Sequence, residues 1–449
     1  MTVATLNSQV RPGQAATKRL LTVRFSPERA LVLMFTLILL TEGMYLPVLY
    51  AHGVPAEVVR ALLYLKYGVA AVLFVFFLLR SCASGFWVKP FEVVGLLTLT
   101  YIMFSSLAHW LGADDAEPAI YTLFIFPLIL YFGGRSLNLG AQSLQRAIRY
   151  ILALYFLMFA YALFDILFIG PNFWRDIAQQ EHFLVVVKGF REAAIIHGVI
   201  GNFYFDPHNL MIRRAVGTQG DPLAFAYSAV LPVALLLFTG TSLVRNQRLR
   251  RFLVFIGFVA LTASLTRAII LSLAFVLLMQ AVLRRSFVAM GLITSFLAIL
   301  LIASSGPMLV ERLGYVDSST LGHVQSLAAV FDTQPLHFLL GAKILAQDTR
   351  HFFESGFLNV LSNYGVIAAA GLFFFVFRLL VNMVCIRSRL LLGLAVAGTV
   401  GAVTSIVFSE SFFSFTGFGL FWFLAGIAMS TYRDQTKSAK WVLEQPDDA

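Results

Sequence analysis

Residues 221–285 read DPLAFAYSAVLPVALLLFTGTSLVRNQRLRRFLVFIGFVALTASLTRAIILSLAFVLLMQAVLRR. Three apolar runs are separated by two short polar breaks. The first break, Arg245-Asn246-Gln247-Arg248-Leu249-Arg250-Arg251, holds four arginines in seven positions. The second is only Thr266-Arg267, and the third run ends on Arg284-Arg285. A helix needs about 20 apolar residues to cross a hydrocarbon layer, and turns on the cytoplasmic side carry the excess of Lys and Arg. The stretch therefore predicts helices that cross a bilayer, with the arginine-rich turn inside and Thr266-Arg267 at an outer bend.

The rest of the chain repeats the pattern. Of 449 residues, 59% are hydrophobic and 12% charged, with a mean hydropathy of +0.83. A soluble domain carries about 25% charged residues, so an ordinary soluble enzyme is excluded. Hydrophobic runs at about 30–50, 58–80, 89–111, 118–135, 147–170, 221–239, 251–265, 268–284, 286–305, 355–380, 389–409 and 412–431 predict an all-α integral membrane protein of about 12 transmembrane helices. The polar, basic start reads as a cytoplasmic tail and not as a cleavable signal peptide, because no short apolar run ends at a small-residue cleavage site. The predicted organisation is a tail (1–29), helices one to five (30–170), a long outer segment (171–220), helices six to nine (221–305), a large outer loop (306–354), helices ten to twelve (355–431) and a second cytoplasmic tail (432–449).

With both termini inside, 22 of the 33 Lys and Arg residues, Arg135 among them, fall on the cytoplasmic side. The net charge of +10 and the pI near 9.7 then follow from topology and call for no nucleic acid partner. Two cysteines, Cys82 and Cys385, exclude a disulfide scaffold and read as small apolar filler.

The remaining 11 cations are Arg60, Lys66, Arg175, Lys188, Arg191, Arg213, Arg214, Arg267, Arg312, Lys343 and Arg350. They sit on the outer half, where the charge rule disfavours them, and 8 of them lie in the two long outer segments. Six of the 8 histidines share those segments. Function is therefore expected on the outer face. In the first segment, 177–203 reads either as an amphipathic helix in the membrane interface or as a loop helix packed on the bundle. Arg213-Arg214 follows, and Gly217, Gly220 and Pro222 mark a turn into the sixth span. The arginine pair is expected just above the membrane surface, either as an anion site, since guanidinium forks match phosphate oxygens, or paired with Asp206 or Glu192. Arg267 at the outer bend reads as an anion ligand or as a donor to exposed helix carbonyls.

The second outer segment begins with Glu311-Arg312. Asp317 to Thr320 signals a helix start, with His323 in its first turn, where anions are favoured. Lys343 follows a glycine turn at Gly341. Arg350 and His351 precede Glu354, and His351 and Glu354 share one helix face. Glu354 reads either as a carboxylate favoured by the helix dipole or as a general base. No His-Glu-x-x-His, cysteine pair, phosphate-cradling glycine loop or serine nucleophile elbow occurs, so no metal, nucleotide or other cofactor is predicted.

Four stretches in order resemble the O-antigen polymerase and ligase superfamily, the Wzy- and WaaL-like membrane proteins: Arg214-Ala-Val-Gly-Thr-Gln-Gly-Asp-Pro222, Leu261-Thr-Ala-Ser-Leu-Thr-Arg267, Thr333-Gln-Pro-Leu-His-Phe-Leu-Leu-Gly341 and Glu354-Ser-Gly-Phe-Leu-Asn-Val-Leu-Ser-Asn-Tyr-Gly365. The resemblance covers about 210–380. Ligases of this superfamily usually carry a histidine where Glu354 stands, so the chain is more similar to a polymerase. The resemblance implies a multi-pass protein of the bacterial inner membrane with its active site facing the periplasm. It implies an undecaprenyl-pyrophosphate-linked oligosaccharide as substrate, the lipid bilayer as surroundings and a chain-length regulator protein as a candidate partner.

The implied reaction is a metal-independent, inverting glycosyl transfer. Glu354 or His351 would take the acceptor proton, and Arg191, Arg213, Arg214, Arg267, Arg312, His323, Lys343 and Arg350 would supply positive charge to the pyrophosphate leaving group. Arg214 and Arg267 are the leading candidates among them. Two other classes stay open: a ligase passing the glycan to lipid A core or protein, and a lipid-linked glycan transporter or flippase, for which Glu42, Lys66 and Asp165 are the deeper charges, Glu42 and Lys66 reading also as a simple ion pair.

Overall fold

The computed structural model describes residues 27–84, 88–112, 124–137, 139–189, 195–200, 203–204, 213–283, 285–286, 288, 290–291, 293, 335–341, 355–386, 388–407 and 412–432. Helices dominate them: α1 (Pro27–Ala51), α2 (Ala56–Ser84), α3 (Pro90–Gly112), α4 (Ile125–Ser136), α5 (Ala141–Phe164), α6 (Pro222–Phe238), α7 (Gln247–Ala263), α8 (Arg267–Leu283), α9 (Pro335–Leu340), α10 (Gly356–Cys385), α11 (Arg389–Val407) and α12 (Gly419–Thr431). Six of them, α1, α2, α3, α5, α10 and α11, are long and apolar enough to cross a membrane. This is the pattern of a multi-pass membrane protein.

Local signals set the helix starts. The Asp221 carboxylate accepts from the Leu223 N–H at 2.9 Å, with Pro222 at the first helical position of α6. Asn246 caps α7 by accepting from the N–H groups of Arg248 and Leu249. Ser355 caps α10 by accepting from the Leu358 N–H.

The shorter helices lie inside. α12 packs on α4, and α6 packs on α11. Nearly every residue of α4, α6 and α12 is buried. The long helices form the rim. There α2 and α3 turn Val72, Leu79, Leu97 and Phe104 outward, each more than 60% exposed. A contiguous apolar surface of this kind suits hydrocarbon and not water. The end of the bundle at which α1 finishes and α2 begins is called the upper end below.

The helices differ from the hydropathy runs in three places. The fourth run, 118–135, holds a helix only from Ile125, with 113–123 outside the described residues. The twelfth run, 412–431, is helical only from Gly419. Phe412 to Phe418 instead form a buried apolar turn, in which the Gly417 N–H donates to Ser414 Oγ and the Trp422 indole N–H donates to the Phe412 carbonyl at 2.8 Å. Hydropathy alone cannot separate such a turn from a span. The ninth run, 286–305, lies almost wholly outside the described residues.

One charge also changes meaning. Arg135 is only 1% exposed, and its Nε donates to Glu92 Oε1 at 2.7 Å. The Tyr131 hydroxyl donates to the same oxygen at 2.6 Å, and the Lys89 backbone N–H donates to Oε2. Glu92 in the first turn of α3 is fully buried and needs a cation. Arg135 therefore neutralises a carboxylate and reports nothing about orientation, unlike the exposed Arg245, Arg248 and Arg251. Cys82 and Cys385 are exposed rather than filler, each in the last turn of its helix where the bundle no longer covers it.

Candidate functional site

The upper end is closed by a cap built from the chain between α5 and α6. α5 widens into a π turn, Asp165–Ile169, which stops at Gly170. Two further π turns follow, Phe173–Ile177 and Phe183–Val187, and then a two-residue hairpin, β1 (Ile195–Ile196) and β2 (Val199–Ile200). The region 177–203 is thus not one amphipathic helix. It breaks after Lys188 at Gly189, and it reverses at His197-Gly198, both at positive φ as such a tight hairpin turn requires. Three of its apolar residues face the bundle: Phe183, Leu184 and Val187 pack with Leu46, Val59 and Leu63 of α1 and α2. Trp174, Val199 and Phe203 form a second small core with Val216.

Asp165 organises this cap. Its carboxylate is fully buried, accepts from the Trp174 indole N–H at 3.1 Å and pairs with Arg213. Arg213 also donates to the Asp165 carbonyl at 2.8 Å and lies over the Phe203 ring at 5.1 Å. Its Nε has no hydrogen-bond partner among the described residues. The partner of Arg213 is therefore a carboxylate 48 positions earlier, while Asp206 and Glu192 lie outside the described residues.

Arg214 points elsewhere. Its Nε donates to the Ser264 carbonyl at 2.7 Å, and its Nη2 donates to Thr266 Oγ1 at 2.6 Å. The backbone N–H groups of Arg214 and Ala215 donate to Phe203 and Ala263. The residue is 8% exposed. Burial pushes its guanidinium down to about 10, with Asp221 and Tyr227 holding it up in part. It remains a cation at neutral pH. Leu265, between its two partners, sits at φ 49°, a left-handed conformation costing a residue with a Cβ roughly 1 kcal/mol. Arg267 opens α8 one residue after Thr266. The segments carrying Arg214 and Arg267 are therefore brought together.

The turn after Arg214 lies deeper than expected. Thr218 donates through its hydroxyl to the Leu40 carbonyl in α1, and Gln180 donates to the Gly220 carbonyl at 2.9 Å. Gly43 of α1 faces this turn, and a Cβ there would stand 1.7 Å from the Gln219 carbonyl oxygen. Gly43 is 8 residues from the end of α1, about 12 Å along its axis. The turn at Thr218–Gly220 thus enters the bundle, because Gly43 lets the two backbones meet.

The two later stretches also meet. Gly365 has φ 76° and breaks α10 nine residues below its start; an added Cβ would stand 2.3 Å from the Leu339 carbonyl oxygen. The chain around Gly341 reciprocates, with the Tyr101 hydroxyl of α3 donating to the Leu340 carbonyl at 3.1 Å. At the top of α10, Ser355 donates to the Ile406 carbonyl at 2.8 Å, which ties the position after Glu354 to the end of α11.

Arg191, Arg312, His323, Lys343, Arg350, His351 and Glu354 lie outside the described residues, as does the side chain of Arg267. The other outer cations each have a protein contact. Arg60 donates to the carbonyls of Val186 and Val187, Lys66 pairs with Glu42 deep between α1 and α2, Arg175 pairs with Asp176 and Lys188 lies over the Phe183 ring. Asp165 as the partner of Arg213, and Gln180 and Tyr101 as donors to buried carbonyls, were not legible as such in the sequence. The signal for Asp165 was a lone carboxylate at the end of an apolar run, which must find a cation. No protein-family model matches the chain, and no curated protein matches it.

Proposed function

We propose that this chain is a membrane glycosyltransferase, a polymerase of polysaccharide repeat units such as an O-antigen or exopolysaccharide. It transfers the growing glycan from undecaprenyl pyrophosphate to the non-reducing end of another lipid-linked repeat unit. The acceptor hydroxyl oxygen attacks the anomeric carbon from the face opposite the leaving group. A new C–O bond forms, the bond to the phosphate oxygen breaks and the configuration inverts. Glu354 or His351 takes the hydroxyl proton, and undecaprenyl pyrophosphate leaves with its electron pair beside cations of the outer face, Arg267 first among them. Cleavage of the glycosyl–pyrophosphate bond supplies the driving force, so the reading needs no nucleotide, cofactor or metal.

The observation that carries this reading is the hydrogen-bonded contact of Arg214 with Ser264 and Thr266. It joins two of the four stretches on which the family resemblance rests, and the Gly341–Gly365 contact joins the other two. The reading further takes twelve spans, both termini in the cytoplasm, the bacterial inner membrane as location and the upper end in the periplasm.

The test is reconstitution of the full chain in liposomes with lipid-linked repeat units alone. Ladders of lengthening glycan support a polymerase. Transfer only to an added lipid A core or protein acceptor would make it a ligase. A transport reading draws on the buried Glu42–Lys66 pair, more than two turns inside both helices. Movement of lipid-linked glycan across the bilayer without chain growth would favour it.

A further inference from the structure

Arg214 has the burial of a structural group and the partners of one. Two of its donor atoms serve one bend, at Ser264 and Thr266, and its own backbone is held between Phe203 and Ala263. That bend contains a leucine in the left-handed region, a conformation that persists only where the surroundings over-determine it. Ser264 Oγ donates back to the Leu261 carbonyl at 2.6 Å and lies 3.2 Å from Thr266 Oγ1, so the bend is closed from within as well. The Thr266 carbonyl accepts the Ile269 N–H at 2.9 Å and so fixes the first turn of α8. A displacement of Thr266 therefore displaces Arg267 directly.

We infer that Arg214 is a positioning residue: it clamps the Ser264–Leu265–Thr266 elbow and thereby sets where α8 begins and where its first residue, Arg267, is presented. The Nε–H and one Nη2–H of the guanidinium are committed to the elbow. This inference rests on the proposed function for the role of Arg267, but the clamp itself does not.

The experiment uses the full chain in lipid nanodiscs and two readouts. Amide hydrogen exchange is followed over 263–270, and polymer growth is followed with lipid-linked repeat units. Thr266→Val removes the acceptor with little change in shape, and Arg214→Gln removes the charge. Each should speed exchange over 263–270 by about tenfold or more, the scale of a lost hydrogen bond to a charged group. Each should lower kcat more than it raises KM. Arg214→Gln should add nothing to Arg267→Ala, since both act through one group.

Arg214→Lys supplies the conservative rescue. The burial that lowers the guanidinium would also lower a lysine at this position below its ordinary value. Protection at the elbow, corrected for intrinsic exchange, should survive at pH 6.5 and weaken as pH rises and the ammonium loses its proton. Unchanged exchange in both Thr266→Val and Arg214→Gln overturns the clamp. Multiplicative rate losses in the Arg214→Gln, Arg267→Ala double variant overturn the positioning role. Wild-type chain that makes no polymer, while its elbow variants still lose protection, sinks the enzymatic reading and leaves the clamp standing.

Discussion

At the scale of single residues, the chain uses buried ion pairs where a soluble protein would use surface charges. Glu42–Lys66, Glu92–Arg135 and Asp165–Arg213 each join a carboxylate with at most 4% exposure to a cation on a different element. Desolvation makes each partner expensive alone, so removing one leaves an uncompensated charge. Asp165→Ala should lower stability by about 3 kcal/mol, read as a drop in the thermal midpoint of the purified chain in detergent. Adding Arg213→Met should restore much of the loss. A single variant that melts like wild type would remove Asp165 as the organiser of the cap. These pairs were only half legible in the sequence. Composition marks a lone charge in an apolar run as needing a partner, but Asp165 and Arg213 are 48 positions apart, and nothing local connects them.

At the scale of elements, the broken helices matter more than the straight ones. The π turns after α5 and the kink of α10 at Gly365 are where chain from between the helices enters the bundle. Gly365 is required twice over, by its φ of 76° and by the Leu339 carbonyl oxygen that fills the space of a Cβ. Gly365→Ala should therefore unseat α9 and destabilise the fold by about 2 kcal/mol or more. Limited proteolysis near 335–341 would report the release, and unchanged resistance there would contradict the account. The sequence already marked Gly341 and Gly365 as members of two separate stretches. That they are one contact depends on the depth at which α9 inserts, which no periodicity encodes.

At the scale of the molecule, the proposed orientation rests on charge. Exposed Arg245, Arg248 and Arg251 gather at the end opposite the cap, and the native cysteines lie at that same end. With both termini in the cytoplasm, an impermeant maleimide should leave Cys82 and Cys385 unmodified in intact spheroplasts and label them after permeabilisation. Asp114→Cys, in the predicted outer turn between the third and fourth hydrophobic runs, should show the reverse in a chain without the native cysteines. Labelling of Cys82 or Cys385 from outside would invert the topology and, with it, the side on which the Ser264–Thr266 elbow presents Arg267. The helical membrane character was determined by the sequence alone, because the cost of placing apolar or charged groups in hydrocarbon is a property of each short run by itself. So were the turn into α6 and the bend before α8, whose caps and breaks are local. The inward position of the turn at Thr218–Gly220, the pairing of Arg213 with Asp165 and of Arg214 with the elbow, and the buried turn before α12 were decided only in the tertiary structure. Each depends on which backbone comes within contact distance of which, and that is fixed by packing among residues far apart in the chain.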